Sequence, residues 1–102
     1  FIGAGKKYFN KREDKRNLIK EMNDFEVVKN FNTYKKSDAD RIGFFTYGDE
    51  PPSIINGRAP LLDEYLKATL VKLDSRNEPF FLMVEGSQID WGGHANDIEY
   101  IT

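Results

Sequence analysis

The sequence predicts an α/β layered fold with a largely parallel sheet, and three observations carry that prediction. Short apolar runs alternate with segments of helical periodicity. One run, Phe80-Phe81-Leu82-Met83-Val84, is continuously hydrophobic, as a strand covered on both faces requires. Glycine- and proline-containing stretches punctuate the chain between these segments. The 102 residues are expected to supply part of a larger sheet.

The elements follow in order. Phe1-Ile2, followed by Gly3-Ala4-Gly5, reads as a strand tail entering a tight turn. Asp14 is placed to cap a helix over residues 15–23, with Leu18, Ile19 and Met22 on one face. Phe25-Glu26-Val27-Val28 alternates and predicts a short strand. Residues 29–40 are polar and predict loop, with room for a helical turn. Residues 41–47 predict an apolar strand closed by Gly48, and the next five an irregular connection through Pro51 and Pro52. Pro60 suits the first turn of a helix. Leu62, Leu66, Leu70 and Leu73, joined by Tyr65 and Thr69, repeat at helical spacing through residue 74. Residues 74–79 break that helix. Beyond the apolar run at 80–84 comes a glycine-containing loop, and Ala95-Asn96-Asp97 is placed to start another helix.

The bulk composition narrows the class of protein. Hydrophobic residues are 39% and charged residues 31%, an ordinary balance for a globular domain. No apolar run approaches the ~20 residues of a membrane-spanning helix. A net charge of −2 provides no overall field for nucleic acid or an anionic membrane. Residues 1–40 hold ten Lys/Arg against seven Asp/Glu, and the remainder five against ten. The basic portion reads as a solvated helix and loop. Cysteine is absent, which removes disulfide and thiolate chemistry from this chain. The chain opens at Phe1 without an initiator Met and stops in what reads as the first turns of a helix, so an internal segment of one catalytic domain, truncated at both ends, is expected.

The chemistry concentrates in Val84-Glu85-Gly86-Ser87-Gln88-Ile89-Asp90-Trp91-Gly92-Gly93-His94. Two carboxylates and the only imidazole of the chain fall within ten residues, just after the expected buried strand. Ligands of open α/β sheets bind outside the carboxyl ends of strands. Carboxylate plus imidazole suits Zn²⁺, and carboxylate plus water suits Mg²⁺. Asp90 and His94, four apart in a Gly-rich turn, can reach one ion. Glu85 can face the same ion or a neighbour. The spacing by itself also fits an ordinary surface pair.

The run from Phe80 to Asp90, with His94-Ala95-Asn96-Asp97, closely resembles the signature of alkaline phosphatases. Ile2-Gly3-Ala4-Gly5-Lys6-Lys7-Tyr8-Phe9 resembles that family's Gly-rich turn, with Ala4 where Gly is common. Ile42-Gly43-Phe44-Phe45 and the turn at 48–52 resemble its next strand and loop. Residues 10–40 match only loosely. The resemblance implies a partial three-layer α/β/α sandwich and a metal-dependent phosphomonoesterase working through a phosphoserine. It places Glu85 on the magnesium ligand and Asp90 and His94 on two ligands of one zinc, in a site of two zinc ions and one magnesium ion. Trp91 falls beside the phosphate and magnesium sites, where it would tune phosphate affinity without being required for the chemistry. Small phosphate monoesters are the implied substrates, with no nucleic-acid partner and no membrane span. A homodimer and an extracytoplasmic location are implied on the same ground.

The resemblance also says what these residues lack. The family's nucleophilic Ser and phosphate-binding Arg precede this region, and its remaining ligands include residues that follow it. Ser75 sits in Asp74-Ser75-Arg76, not in an Asp-Ser-Ala context, and reads as a loop residue. The isolated chain is therefore expected to be inactive. A related phosphodiesterase or sulfatase is the competing enzyme reading, and a binding module without catalysis is the other. Phe44, Phe45, Phe80 and Phe81 read as core, and Gly3-Ala4-Gly5-Lys6-Lys7 as a structural turn lacking P-loop spacing.

Overall fold

The computed structural model describes residues 1–101, in two compact units, Phe1–Pro51 and Pro52–Thr102. The first unit holds the sheet. Strands β1 (Ile2–Gly3), β2 (Glu26–Val28) and β3 (Ile42–Phe45) pair in the order β1-β3-β2, and both pairings are parallel. Ile2 and Val28 both lie opposite Phe44, which makes β3 the central strand. Its residues Gly43, Phe44 and Phe45 are buried, as the apolar run predicts.

Helices cover both faces of this sheet. Helix α1 spans Lys6–Asn10, α2 Leu18–Glu21 and α3 Phe31–Lys36. Successive strand residues point to opposite faces. Phe44 lies nearly parallel to the rings of Phe31 and Tyr34 of α3, with centroids 6.4 and 6.2 Å away. Phe45 meets Phe9 of α1 at 4.9 Å and Phe1 at 5.2 Å. Val28, Tyr34, Phe44 and Phe45 form the buried apolar core of this unit. Phe44 and Phe45, read from the sequence as core, are core here, whereas Phe80 and Phe81, read the same way, are exposed.

The Gly-rich turn is structural, as expected. Gly5 adopts φ 82°, the left-handed region open to glycine. The N–H groups of Gly5, Lys6 and Lys7 donate to the carbonyls of Asp49, Tyr47 and Gly48 at 2.7–3.2 Å. These amides are engaged by the chain itself, and Lys7 Nζ is paired with the Asp49 carboxylate.

Two expectations in this unit need correction. Asp14 does not cap a helix over 15–23. It accepts from the Arg12 guanidinium and from the Arg16 N–H, holding a turn. The cap belongs to Asn17, whose side chain accepts from Lys20 N at 3.2 Å, and α2 is a single turn. Residues 29–40 hold α3. Asn30 caps it, accepting from Thr33 N at 2.9 Å and Thr33 Oγ1 at 3.0 Å. The short strand read at 25–28 is present, starting one residue later at Glu26.

The second unit is helical. A 3-10 turn at Ile54–Asn56 precedes α4 (Leu62–Ser75), α5 (Ser87–Ala95) and α6 (Ile98–Ile101). Pro60 lies just before α4, after a cis bond from Ala59. Glu64 reaches back to accept the Leu61 N–H at 3.0 Å, satisfying a donor at the entry of α4. The stripe of Tyr65, Leu66, Thr69 and Leu73 is half-buried, and Leu62 and Leu70 are more exposed. Ser75 lies in the last turn of α4, not in a loop, and its hydroxyl donates to Lys72 O at 2.8 Å. No helix among the described residues is long and apolar enough to cross a membrane.

Residues 80–84 depart from expectation. The run is not part of a strand, and Phe81 is 90% exposed. A strand exists only where a neighbour supplies ladder hydrogen bonds, and no strand among the described residues pairs with this run.

Candidate functional site

The segment read as a glycine-containing loop is a helix. Glu85 and Gly86 lie outside it, and α5 starts at Ser87 with Ile89 N–H donating to Gly86 O at 2.9 Å. It ends at Asn96, which takes the left-handed conformation with φ 52°. Asp97 N–H then closes the end on Gly92 O at 3.0 Å. Asp97 in turn caps α6, its carboxylate accepting from Tyr100 N at 3.1 Å. Of Ala95-Asn96-Asp97, expected to open another helix, only Asp97 does so; Ala95 ends α5 and Asn96 caps its C-terminus.

A repeat of 3.6 residues divides α5 into two faces. Gln88 and Gly92, four apart, are its buried residues. Asp90 and His94, also four apart, lie on the opposite side, with side chains 72% and 82% exposed. His94 Nε2 stands 3.6 Å from Asp90 Oδ2. A tetrahedral zinc with ligand bonds of about 2.0–2.2 Å spaces its oxygen and nitrogen ligands about 3.3–3.5 Å apart. The two donors thus stand close to the spacing of adjacent zinc ligands. Asp90 occupies the first turn of α5 and His94 the last, the ends at which the helix dipole favours an anion and a cation.

The structure joins Asp90 to His94 and leaves Glu85 apart. Glu85 is exposed, ahead of the helix. Among the described residues, no group of three or more His, Asp or Glu side chains is gathered as a metal shell. The donor chemistry of Asp90 and His94 fits two of the four positions of a tetrahedral zinc site. Trp91, 46% exposed, follows Asp90 and sits about 100° further round the helix.

Two residues on the hidden side escaped the sequence reading. Gln88 is 8% exposed, and its Oε1 accepts from the Tyr100 hydroxyl of α6. Beside it, a Cβ on Gly92 would stand 2.8 Å from Ile101 Cγ1 and 2.9 Å from Tyr100 Cδ1. The available signal was spacing: Gln88 and Gly92 share one helical face, but three glycines within eight residues pointed to a loop.

Known proteins match this chain along nearly its whole length. The family model for alkaline phosphatase matches residues 1–101. Alkaline phosphatase 3 of Bacillus subtilis (strain 168) is 39% identical over 101 residues, 95% of this chain and 21% of that protein. The repressible alkaline phosphatase of Saccharomyces cerevisiae is 38% identical over 104 residues, 84% of this chain and 18% of that protein. The chain thus spans about a fifth of the length of these curated relatives. Among solved structures, alkaline phosphatase from the Antarctic bacterium TAB5 matches with a TM-score of 0.86 and 32% identity, over 99% of this chain and 31% of that one. A His-to-Glu mutant of the TAB5 enzyme, with Mg bound in its M3 site, matches at 0.87 and 33%, over 99% of this chain and 30% of that one. The family match, the parallel sheet and the Glu, Asp, His order agree: the chain belongs to the alkaline phosphatase family.

Proposed function

We propose that this chain contributes part of the active site of a metal-dependent phosphomonoesterase, acting within a longer polypeptide of its relatives' kind. Asp90 and His94 are ligands of one of two zinc ions, and Glu85 is a ligand of a magnesium ion. The carrying observation is the convergence of Asp90 Oδ2 and His94 Nε2 to 3.6 Å on the exposed side of α5. The magnesium in a TAB5 relative supports a metal-dependent reading in general terms.

Zinc, when bound, acts as a Lewis acid toward a phosphoryl oxygen and lowers the pKa of a water. Asp90 brings a negative charge that offsets the cation, and His94 brings a neutral nitrogen whose lone pair must be free of a proton. Their placement on one rigid helix, not on a mobile loop, fixes the donors relative to each other. Trp91 flanks the phosphate and adjusts its affinity. The nucleophilic Ser, the phosphate-binding Arg and the further ligands come from other residues, so these 102 residues alone are inactive. Small phosphate monoesters are the substrates, cleaved through a phosphoserine. A homodimeric state and an extracytoplasmic location belong to the same reading.

The test is hydrolysis of p-nitrophenyl phosphate by the complete protein with zinc and magnesium, comparing wild type with His94→Ala. The expected result is a loss of activity by orders of magnitude, partly restored by excess zinc. An active wild type with an unaffected variant would show that the Asp90–His94 pair is a surface contact and that the site lies elsewhere.

A further inference from the structure

The two faces of α5 differ: Asp90 and His94 lie on the exposed one, Gln88 and Gly92 on the buried one. Gln88 is more than nine-tenths buried and accepts from the Tyr100 hydroxyl. One turn along, Gly92 lets the Tyr100 ring and Ile101 approach so closely that a methyl group would collide with both. The reversal at Asn96 and Asp97 brings α6 back over this face, with Asp97 N–H on Gly92 O and Asp97 Oδ1 on Tyr100 N. Gln88 and Gly92 therefore fasten one side of α5 to α6, while Asp90 and His94 project from the other.

A helix held on one side can still turn about its axis unless a directional contact stops it. Side-chain tips lie about 5–6 Å from the axis, so a turn of ~10° moves them by about 1 Å. Displacement on that scale costs about 10²-fold in a catalytic site. Apolar packing is non-directional and resists such a turn weakly, whereas a buried hydrogen bond has a preferred angle and leaves an unsatisfied group when broken.

We propose that Gln88 and Tyr100 are positioning residues for the metal site: their hydrogen bond, with the close contact at Gly92, sets the rotation of α5 and so the aim of Asp90 and His94. The inference rests on the reading of those two residues as zinc ligands. Neither Gln88 nor Tyr100 touches the metal or the substrate.

The experiment uses the complete protein, stripped of metal and reloaded with Co²⁺ or Zn²⁺. Its readouts are the visible absorption of bound Co²⁺, the Zn²⁺ affinity by chelator competition, and the Tm of the metal-free protein. The variants are Tyr100→Phe, Gln88→Met and the pair together, with His94→Ala as reference. The double variant replaces both hydrogen-bonding groups with apolar ones of similar shape, which can be nearly neutral for stability. It therefore tests aiming even where a single variant fails to fold. The expected result for the double variant is a metal-free Tm near wild type, Zn²⁺ affinity reduced about 10- to 100-fold, and an altered Co²⁺ spectrum. A double variant with wild-type affinity and spectrum, beside a His94→Ala that loses Zn²⁺, overturns the positioning role and leaves the ligand reading intact. An unaffected His94→Ala overturns both.

Discussion

Phe44 and Phe45 are neighbours in β3 and serve opposite faces of the sheet: Phe44 lies against Phe31 and Tyr34 of α3, and Phe45 against Phe9 of α1. One dipeptide on the central strand therefore anchors both helical layers of the first unit. Truncating either ring leaves a cavity that its neighbours only partly fill. Phe44→Ala and Phe45→Ala should each destabilise the protein by about 3–5 kcal/mol, read from the midpoint of denaturant unfolding. Phe81→Ala, at a 90% exposed position, should cost far less in this chain.

Asn30 holds the start of α3 through two hydrogen bonds to Thr33. Replacing it with Ala removes the acceptor and leaves the Thr33 N–H to solvent. The expected loss is about 1 kcal/mol. Asn30→Asp keeps the acceptor and should recover most of it, with both values taken from thermal unfolding.

Adjacent glycines in α5 should respond with opposite sign. Gly92 has the Tyr100 ring and Ile101 pressed against it, whereas a Cβ on Gly93 would meet nothing within 4 Å. Gly92→Ala should destabilise by about 1–3 kcal/mol through overpacking. Gly93→Ala should stabilise by about 0.5–1 kcal/mol through helix propensity. Paired Tm measurements decide the matter, and equal effects would mean that α6 does not lie against Gly92.

The Arg12 guanidinium, and after it the Arg16 N–H, hold the Asp14 carboxyl below its ordinary pKa. For a folded-state pKa depressed in this way, the stabilisation is present above the unfolded value and is lost as pH falls through the folded one. The turn at 12–16 should therefore loosen only in acid, below the ordinary Asp range. Arg12→Ala should raise the Asp14 pKa, measured by ¹³C NMR titration of its carboxyl. The pair is on the surface, so added salt should weaken the effect.

Trp91 should separate binding from chemistry. Under the proposed role of Trp91 beside the phosphate, Trp91→Ala in the complete protein should change phosphate inhibition and KM by about tenfold, ~1.4 kcal/mol. Metal content by elemental analysis should stay at the wild-type level. Loss of metal would instead make Trp91 part of the ligand scaffold.

Much of this architecture was legible from periodicity. The strand at 26–28, the core strand around Phe44 and the leucine helix ending near residue 75 follow from alternation and helical spacing. Helix α3 was legible only as room for a helical turn, because Asn30, Asn32, Thr33 and two lysines give a polar average, while its packing depends on Phe31 and Tyr34. Helix α5 was hidden because glycine lowers helix propensity. What propensity could not reveal is that Gly92 serves the close approach of α6, a tertiary demand that outweighs the local cost. Asp90 and His94 stood out by residue type and by the family resemblance, and their 3.6 Å approach comes from the helix, not from a turn. The run at 80–84 shows the converse: a sequence carries the character of a strand but cannot supply its partner.

That run has a practical consequence. Phe80-Phe81-Leu82-Met83-Val84 is extended-prone, uncharged and free of proline, and Phe80, Phe81, Met83 and Val84 are all exposed. Such a stretch is a template for intermolecular cross-β stacking. Chains of these 102 residues brought to high concentration should assemble through it into fibrils that bind amyloid dyes, and a single Lys at Phe81 should delay their appearance.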